Sequence, residues 1–567
     1  MKTTKQSLAF VLIVFLSNAL LLAGASKAPV RARHGMVVSS HYLASQVGVD
    51  VLRSGGNAVD AAVATGLALA VVHPSAGNIG GGGFMIVRIN DGRMSAFDFR
   101  EQAPAAAHEK MFLDAKGNYS AELHHVGYLS IGVPGTVAGF DMALKKFGTK
   151  SWGELTAPAV RLAENGFSLT WEMADDFRFL ATDFAKHPAS AHVFLKHDGN
   201  PFEADEIWKQ PDLAKTLRRI QRFGKDGFYK GETARLLASC MKNHGGLITE
   251  ADLAAYEAKE RPLIHSTYRG YDIYSMPPPS SGGTILVEML NVLEGFDLKS
   301  MGHNSTQYLH LLTETMRRAY ADRAKYLGDP DFNKKMPIDR LTSKKYAEKI
   351  QQSINLKSAR PSETKDIIEA QESMQTTHYS VIDAQGNVAV VTYTLEYAYG
   401  SRIVADSIGF LLNNEMGDFN PQHGLTDTTG LIGTKPNLVA PGKRMLSSMT
   451  PTIVLKDGNP FMLTGSPGGR TIITTVLQTI LNVVDFGMNI SEAVTAGRVH
   501  HQWLPDVLRI EQYATSPDTK LLLEKMGHRI KENGTWGTAM GIMIDLQTGL
   551  RFGGADPRAE DAAAIGY

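Results

Sequence analysis

At residue 376 the sequence stops being polar and loosely patterned and becomes a series of β-rich runs. Just before it, residues 356–375 are dominated by Lys, Ser, Arg, Pro, Glu, Thr and Asp, a composition that marks an exposed, weakly ordered stretch. Beyond it, residues 378–382 and 388–395 flank Asp383-Ala384-Gln385-Gly386-Asn387, and residues 453–455 and 461–463 flank a turn at Asp457-Gly458. A further hairpin flanks Leu546-Gln547-Thr548-Gly549, and a helical pattern over 471–486 separates the last two hairpins. Hairpins alternating with helices predict sheets with helices packed outside them.

Upstream, Lys2 and Lys5 precede an apolar stretch over residues 8–23, broken only by Ser17 and Asn18, and Ala23-Gly24-Ala25 follows with small residues. That is the order of a secretory signal; the stretch is short for a membrane span. No cysteine follows it to carry a lipid. We expect residues 1–25 to be removed and the product to be secreted, with a bacterial periplasm as the destination and no stable membrane anchor. Lysine plus arginine equal aspartate plus glutamate at 58 each, which gives no global attraction for nucleic acid or a membrane surface. Cys240 is the only cysteine. An exported chain with no disulfide framework must rest on a large core, and Cys240 reads as a small buried hydrophobe.

Residues 39–53 and 57–72 read as helices separated by Gly55-Gly56, with Asn57 as N-cap of the second and Pro74 ending it. Residues 84–89 and 94–99 read as strands joined by Asn90-Asp91-Gly92. The middle, residues 145–355, is mostly helical in pattern. Gly77-Asn78-Ile79-Gly80-Gly81-Gly82-Gly83 lacks the Lys-Ser/Thr of a phosphate loop and precedes a strand, so close backbone packing is expected there. His124-His125 and His500-His501 are adjacent pairs without the spacing of a helical zinc site. Neither a catalytic metal nor a cofactor is expected. Ser280-Ser281-Gly282 lacks the surroundings of a nucleophile elbow.

A threonine that opens a strand, as Thr376 does, is by itself accounted for by β-propensity. Its surroundings change that reading. Thr376-Thr377-His378-Tyr379-Ser380, then Gly386-Asn387, then Thr392-Tyr393-Thr394-Leu395-Glu396 and Gly400 resemble the signature of the γ-glutamyltranspeptidases, N-terminal-nucleophile hydrolases. The resemblance extends in order through Phe97-Asp98-Phe99-Arg100-Glu101, Pro277-Pro278-Pro279-Ser280-Ser281-Gly282-Gly283, Leu446-Ser447-Ser448-Met449, Gly465-Ser466-Pro467-Gly468-Gly469 and Asp556-Pro557-Arg558. It spans essentially the whole mature chain. Length alone suggests three or four domains. The resemblance instead implies one intertwined αββα sandwich made from two products, a large subunit (26–375) and a small catalytic subunit (376–567).

What the resemblance implies for chemistry is self-cleavage between Gln375 and Thr376. A hydroxyl needs a base, and cleavage supplies an α-amine of pKa roughly 7.7–8.0 on the same residue as the nucleophile. By the same resemblance Thr394 assists Thr376, Gly468 and Gly469 form the oxyanion hole, and Arg100 with Ser447 and Ser448 takes the donor carboxylate. Glu415 and Asp418 take its ammonium. Glu396 replaces an asparagine common in the family and adds a third carboxylate. Residues 421–437 match a pocket-covering loop in which Thr429 replaces the expected aromatic. The expected substrates are glutathione and related γ-glutamyl amides, with water, amino acids or dipeptides as acceptors. Alternatives on the same fold are a glutaryl or cephalosporin acylase, a poly-γ-glutamate depolymerase, and an inactive γ-glutamyl-binding paralogue.

Overall fold

The computed structural model describes residues 26–362, 376–425 and 433–567. The expected leader (1–25), Gln375 and Thr429 lie outside the described residues. Among the described residues, no helix is long and apolar enough to cross a membrane.

Two seven-stranded sheets, every neighbouring pair antiparallel, are stacked face to face. The first runs Ala563–Gly566, Met36–Ser39, Thr377–Ile382, Val388–Thr394, Gly82–Arg88, Met94–Phe99, Lys259–Arg261. The second runs Val30–Ala32, Arg551–Ala555, Met540–Ile544, Asn459–Gly465, Thr452–Lys456, Tyr271–Ser275, Ile264–Tyr268. Each sheet therefore interleaves strands from both sides of residue 376.

Period-two alternation divides the central strands between two interiors. Tyr379, Val381, Ala389, Val391 and Tyr393 join the apolar cluster beneath helices Tyr42–Arg53, Ala58–Val72 and Thr136–Phe147. Ile382, Val388 and Val390 turn the other way, into the cluster shared with Ile453, Leu463, Ile542 and helices Gly282–Leu293 and Thr471–Val484. The result is the four-layer αββα arrangement. Ala58–Val72 can lie flat on its sheet because it is alanine-rich and buried at every position. Asn57 caps it in a reciprocal box with Asp60.

Two local readings change. The helix expected from Ser39 begins at Tyr42, because Met36–Ser39 is drawn into the sheet between Thr377–Ile382 and Ala563–Gly566. The mostly helical middle also contains strands: the short pair Phe167–Ser168 and Ile207–Trp208, and Lys259–Arg261, Ile264–Tyr268 and Tyr271–Ser275, which finish one edge of each large sheet. The last two are joined through Arg269 and Gly270, both at positive φ (51° and 77°), a turn lacking the Asn-Gly or Asp-Gly pair by which such hairpins are recognised.

The glycine run is a packing device, as expected. A Cβ at Gly81 would overlap the Thr394 carbonyl oxygen, and one at Gly83 the Thr392 carbonyl oxygen. Any side chain there would push strand Gly82–Arg88 off its neighbour. Gly81→Ala is expected to cost about 1–3 kcal/mol or more, the range for overpacking a tight interior. Gly534→Ala, where nothing lies within 4 Å, should leave the denaturation midpoint nearly unchanged. Comparing the two urea midpoints checks this.

Candidate active site

Thr376 immediately precedes strand Thr377–Ile382. Pairing sets Thr377 opposite Tyr393 and His378 opposite Thr392, so one step back Thr376 comes level with Thr394. The Thr376 hydroxyl donates to Thr394 Oγ1 at 3.4 Å. Thr394 Oγ1 also accepts from the Glu396 N–H at 2.9 Å. Asn78 anchors the neighbouring backbone, donating from Nδ2 to the Thr394 carbonyl at 2.9 Å while its Oδ1 accepts from the Gly81 N–H at 3.0 Å. Below the threonines, His378 meets Thr392 Oγ1 through Nδ1 at 2.7 Å and Ser380 Oγ through Nε2 at 3.1 Å. Burial lowers its pKa to about 3, so the ring is neutral and ties together two strands of its own sheet on the face that meets the other sheet. Gly465 of the opposite sheet has no Cβ to collide with it.

The threonines open onto a pocket of about 280 Å³, lined also by Arg100, Glu396, Glu415, Asp418, Ser447, Ser448, Met449, Gly469 and Ile472. Of the candidate residues the structure describes, Gly468 alone is not part of the lining, and it adjoins Gly469.

Arg100 follows strand Met94–Phe99 and is fully buried. Its backbone N–H donates to Asp98 Oδ1 at 3.0 Å; Asp98 is itself held by Arg444 at 2.5 Å and Arg261 at 3.0 Å. The sequence reading assigns Arg100 and the acids to opposite ends of a substrate. In the structure they meet directly. Arg100 Nη1 lies 2.5 Å from Glu415 Oε2 and 3.3 Å from Glu101 Oε2, and Nη2 pairs with Asp418.

One guanidinium cannot neutralise this group of acids. Burial opposes the charge on Arg100, but attraction from Glu415, Asp418 and Glu101 outweighs it and its pKa is raised. Burial raises Glu101, with Arg100 opposing. It also raises Glu415 well above the usual carboxylate range, with Arg100 opposing and Glu101, Asp418 and Glu396 adding repulsion. The resting site therefore favours protons on Glu101 and Glu415.

Glu396 sits at φ 80°, a strained backbone for a non-glycine residue. Gly417 admits its carboxylate, since a Cβ there would lie 2.8 Å from Glu396 Oε1. The sequence reading passed over His124 and His125, yet both support the acidic side. His125 Nδ1 lies 3.3 Å from Glu396 Oε1 and its ring stacks on Tyr397 at 5.6 Å. Burial lowers His125 to about 4, so the neutral imidazole orients Glu396 without adding charge. His124 Nε2 meets the Met416 carbonyl at 3.1 Å and Nδ1 meets the Tyr119 hydroxyl at 3.0 Å, which steadies the turn Glu415–Asp418. Asn413 and Asn414, just before the acids, hold the turn in place. Asn413 donates to the Gly80 and Gly132 carbonyls at 2.8 Å each, and Asn414 Oδ1 accepts from the Tyr397 N–H at 3.0 Å.

The polyproline motif explains the serine loop. Ser281 donates through Oγ to the Ser447 carbonyl at 2.7 Å, Ser280 donates to the Met449 carbonyl at 2.6 Å, and Ser447 N–H donates to the Pro279 carbonyl at 2.9 Å. Arg323, reached by no sequence signal, donates to Ser281 Oγ at 2.9 Å and Ser448 Oγ at 2.8 Å.

Gly468 and Gly469 take φ values of 128° and 54°, which favour glycine. Their carbonyls accept from the first turn of helix Thr471–Val484 at 3.0 and 3.1 Å. Their N–H groups have no acceptor among the described residues. Two amides before a helix N-terminus suit a developing negative charge. The described base of the covering segment is fixed at Asn437, which donates to the Asp418 carbonyl at 2.7 Å and accepts from the Leu446 N–H at 2.8 Å.

A chain with this fold and pocket has close relatives. The sequence profile described as gamma-glutamyltranspeptidase matches residues 44–566. A glutathione hydrolase proenzyme of Escherichia coli (strain K12) is 49% identical over 542 residues, covering 95% of this chain and 93% of its own. One from Pseudomonas sp. (strain A14) is 47% identical over 552 residues, covering 96% of each. The crystal structure of a cephalosporin acylase from Bacillus halodurans superposes with a TM-score of 0.84 at 26% identity, covering 96% of this chain and 98% of that one. The chain is an enzyme and belongs to the gamma-glutamyltranspeptidase family.

Proposed function

We propose that this enzyme cuts itself between Gln375 and Thr376 and then transfers γ-glutamyl groups from glutathione and related amides to water or to an amino acid or dipeptide. The observation that carries the reading is the meeting, in one small pocket, of Thr376, Thr394, Arg100, the acids Glu396, Glu415 and Asp418, and Gly469. Thr376 Oγ attacks the Gln375 carbonyl, and water hydrolyses the resulting ester, leaving a free α-amine beside the hydroxyl. That amine then serves as base while Thr376 attacks the γ-carbonyl of the donor. The oxyanion is held by the Gly468 and Gly469 N–H groups, each such donor worth about 2.7–4 kcal/mol. The leaving amine takes the proton, and water or an acceptor amine resolves the γ-glutamyl ester. The relatives named glutathione hydrolase proenzyme support the donor and the processing.

In the resting pocket Arg100 pairs with Asp418 and packs against the protonated Glu415. A donor bearing both an α-carboxylate and an α-ammonium can exchange with this pairing, its carboxylate taking Arg100 with Ser447 and Ser448 and its ammonium taking the acids and Glu396. A glutaryl donor has no cation for those acids, which favours a γ-glutamyl over an acylase substrate. The two products remain together as a heterodimer, because both sheets draw strands from either side of residue 376. The leader-like residues 1–25 support export, with a bacterial periplasm as the proposed destination.

Thr376→Ala should remain a single uncut polypeptide on a denaturing gel; two fragments would refute the nucleophile assignment. Arg100→Ala should lower kcat/KM for a chromogenic γ-glutamyl anilide about 100-fold or more, as expected when a buried ionic partner is lost. Activity equal to wild type would remove Arg100 from the donor site. Adding a dipeptide acceptor to the same assay measures transfer directly.

The raised carboxylates give a pH signature. The free pocket holds protons that an arriving ammonium displaces, so the complex carries fewer protons and donor affinity rises with pH through the neutral range. Calorimetry of a donor analogue in buffers of different ionisation enthalpy should register net proton release, reduced in Glu415→Gln.

A further inference from the structure

Away from the pocket, the helical layer and the segment that carries the acidic residues meet at a second cluster of chemically capable side chains. Cys240 lies near the end of helix Gly231–Asn243 and His244 is its C-terminal cap, so the two are one helical turn apart and project on the same face. Asp406 arrives from the tight hairpin in which Ala405 and Phe410 are hydrogen-bonded and Ser407 and Gly409 take positive φ. One ligating atom from each, the Cys240 sulfur, a His244 ring nitrogen and an Asp406 carboxylate oxygen, lie within 4.8 Å of one another. Among the described residues this is the only such group of three.

The geometry points to a site for a single tetrahedral, borderline-soft divalent cation of the zinc type, bound by Cys240 Sγ, His244 and Asp406 with water in the fourth position. His244 Nε2 and Asp406 Oδ2 are 3.3 Å apart. Ligands about 2.0–2.1 Å from a tetrahedral centre are separated by roughly 3.3 Å, so this edge of the polyhedron is already formed. The donor set of one thiolate, one imidazole and one carboxylate selects zinc-like ions over magnesium or calcium. Tyr128 stacks flat on the His244 ring at 4.6 Å and 8°, which fixes the ring's plane. Cys240 is buried while His244 and Asp406 are 42% and 50% exposed, so an ion can enter from solvent and meet the thiol at the floor.

The consequence is mechanical. Asp406 sits between Glu396, on the N-terminal side of its hairpin, and Asn413, Glu415 and Asp418 on the other. A bound cation would tie that segment to helix Gly231–Asn243 from outside, without touching substrate.

The test uses the untagged processed protein and Zn²⁺ or Co²⁺ alone. After equilibration with Zn²⁺ and gel filtration, wild type should retain about one equivalent, and Co²⁺ should give a thiolate-to-metal charge-transfer band. With a single cysteine in the chain, that band reports Cys240 alone. Cys240→Ser should abolish the band, and His244→Gln and Asp406→Asn should each weaken binding about tenfold or more, all three folded as judged by retained γ-glutamyl anilide turnover. Equal Zn²⁺ retention by wild type and Cys240→Ser, or Co²⁺ spectra without a thiolate band, would show an ion pair beside an inert thiol and overturn the proposal.

Discussion

The antiparallel pairing of Thr377–Ile382 with Val388–Thr394 is the constraint on which the rest of the molecule depends. It sets Thr376 level with Thr394, turns both hydroxyls into the gap between the sheets, and rests on a strand whose glycines admit close contact. A slip of one residue would send the threonines to the helix side and the tyrosines into the gap, since side chains alternate strictly. Both interiors of the sandwich oppose such a slip. Tyr379 and Tyr393 are fully buried in one and Val388 and Val390 in the other.

Around that pair the protein accepts an electrostatic cost. Three buried carboxylates, Glu101, Glu396 and Glu415, and the partly exposed Asp418 gather around one guanidinium. Burying ions is expensive, and an incompletely neutralised cluster contributes little to stability. The cost is met locally by protons held on Glu101 and Glu415 and by neutral struts such as His125 and Asn413 that orient the acids. A site arranged in this way favours a ligand that brings both a cation and an anion, which is why the same residues that strain the resting pocket suit a zwitterionic donor.

The ease of reading the chain followed the range of the interactions. The hairpins at Asn90-Asp91-Gly92 and at 383–387 were legible because turn chemistry and alternation are local. The turn through Arg269 and Gly270 was not, because its hairpin is secured by packing on the sheet edge rather than by a distinctive turn pair. The glycine run could be read as close packing, but not that Thr394 and Thr392 were the neighbours. His125 stood out only as half of an adjacent pair and Arg323 not at all, since each meets its pocket partner only across the fold, 271 and 125 residues away.

The sequence by itself determined the alternating hairpins and helices, the buried helix begun at Asn57, and, through ordered motifs, the family and the residues that would gather. It could do so because propensity, alternation and motif order are written along the chain. Only the tertiary structure decided that Arg100 rests against Glu415 and Asp418, that the polyproline motif clamps the serine loop, and that Cys240, His244 and Asp406 share a corner. Those outcomes depend on distances between segments far apart in sequence, which are fixed only when the two sheets close on each other and their helices cover them.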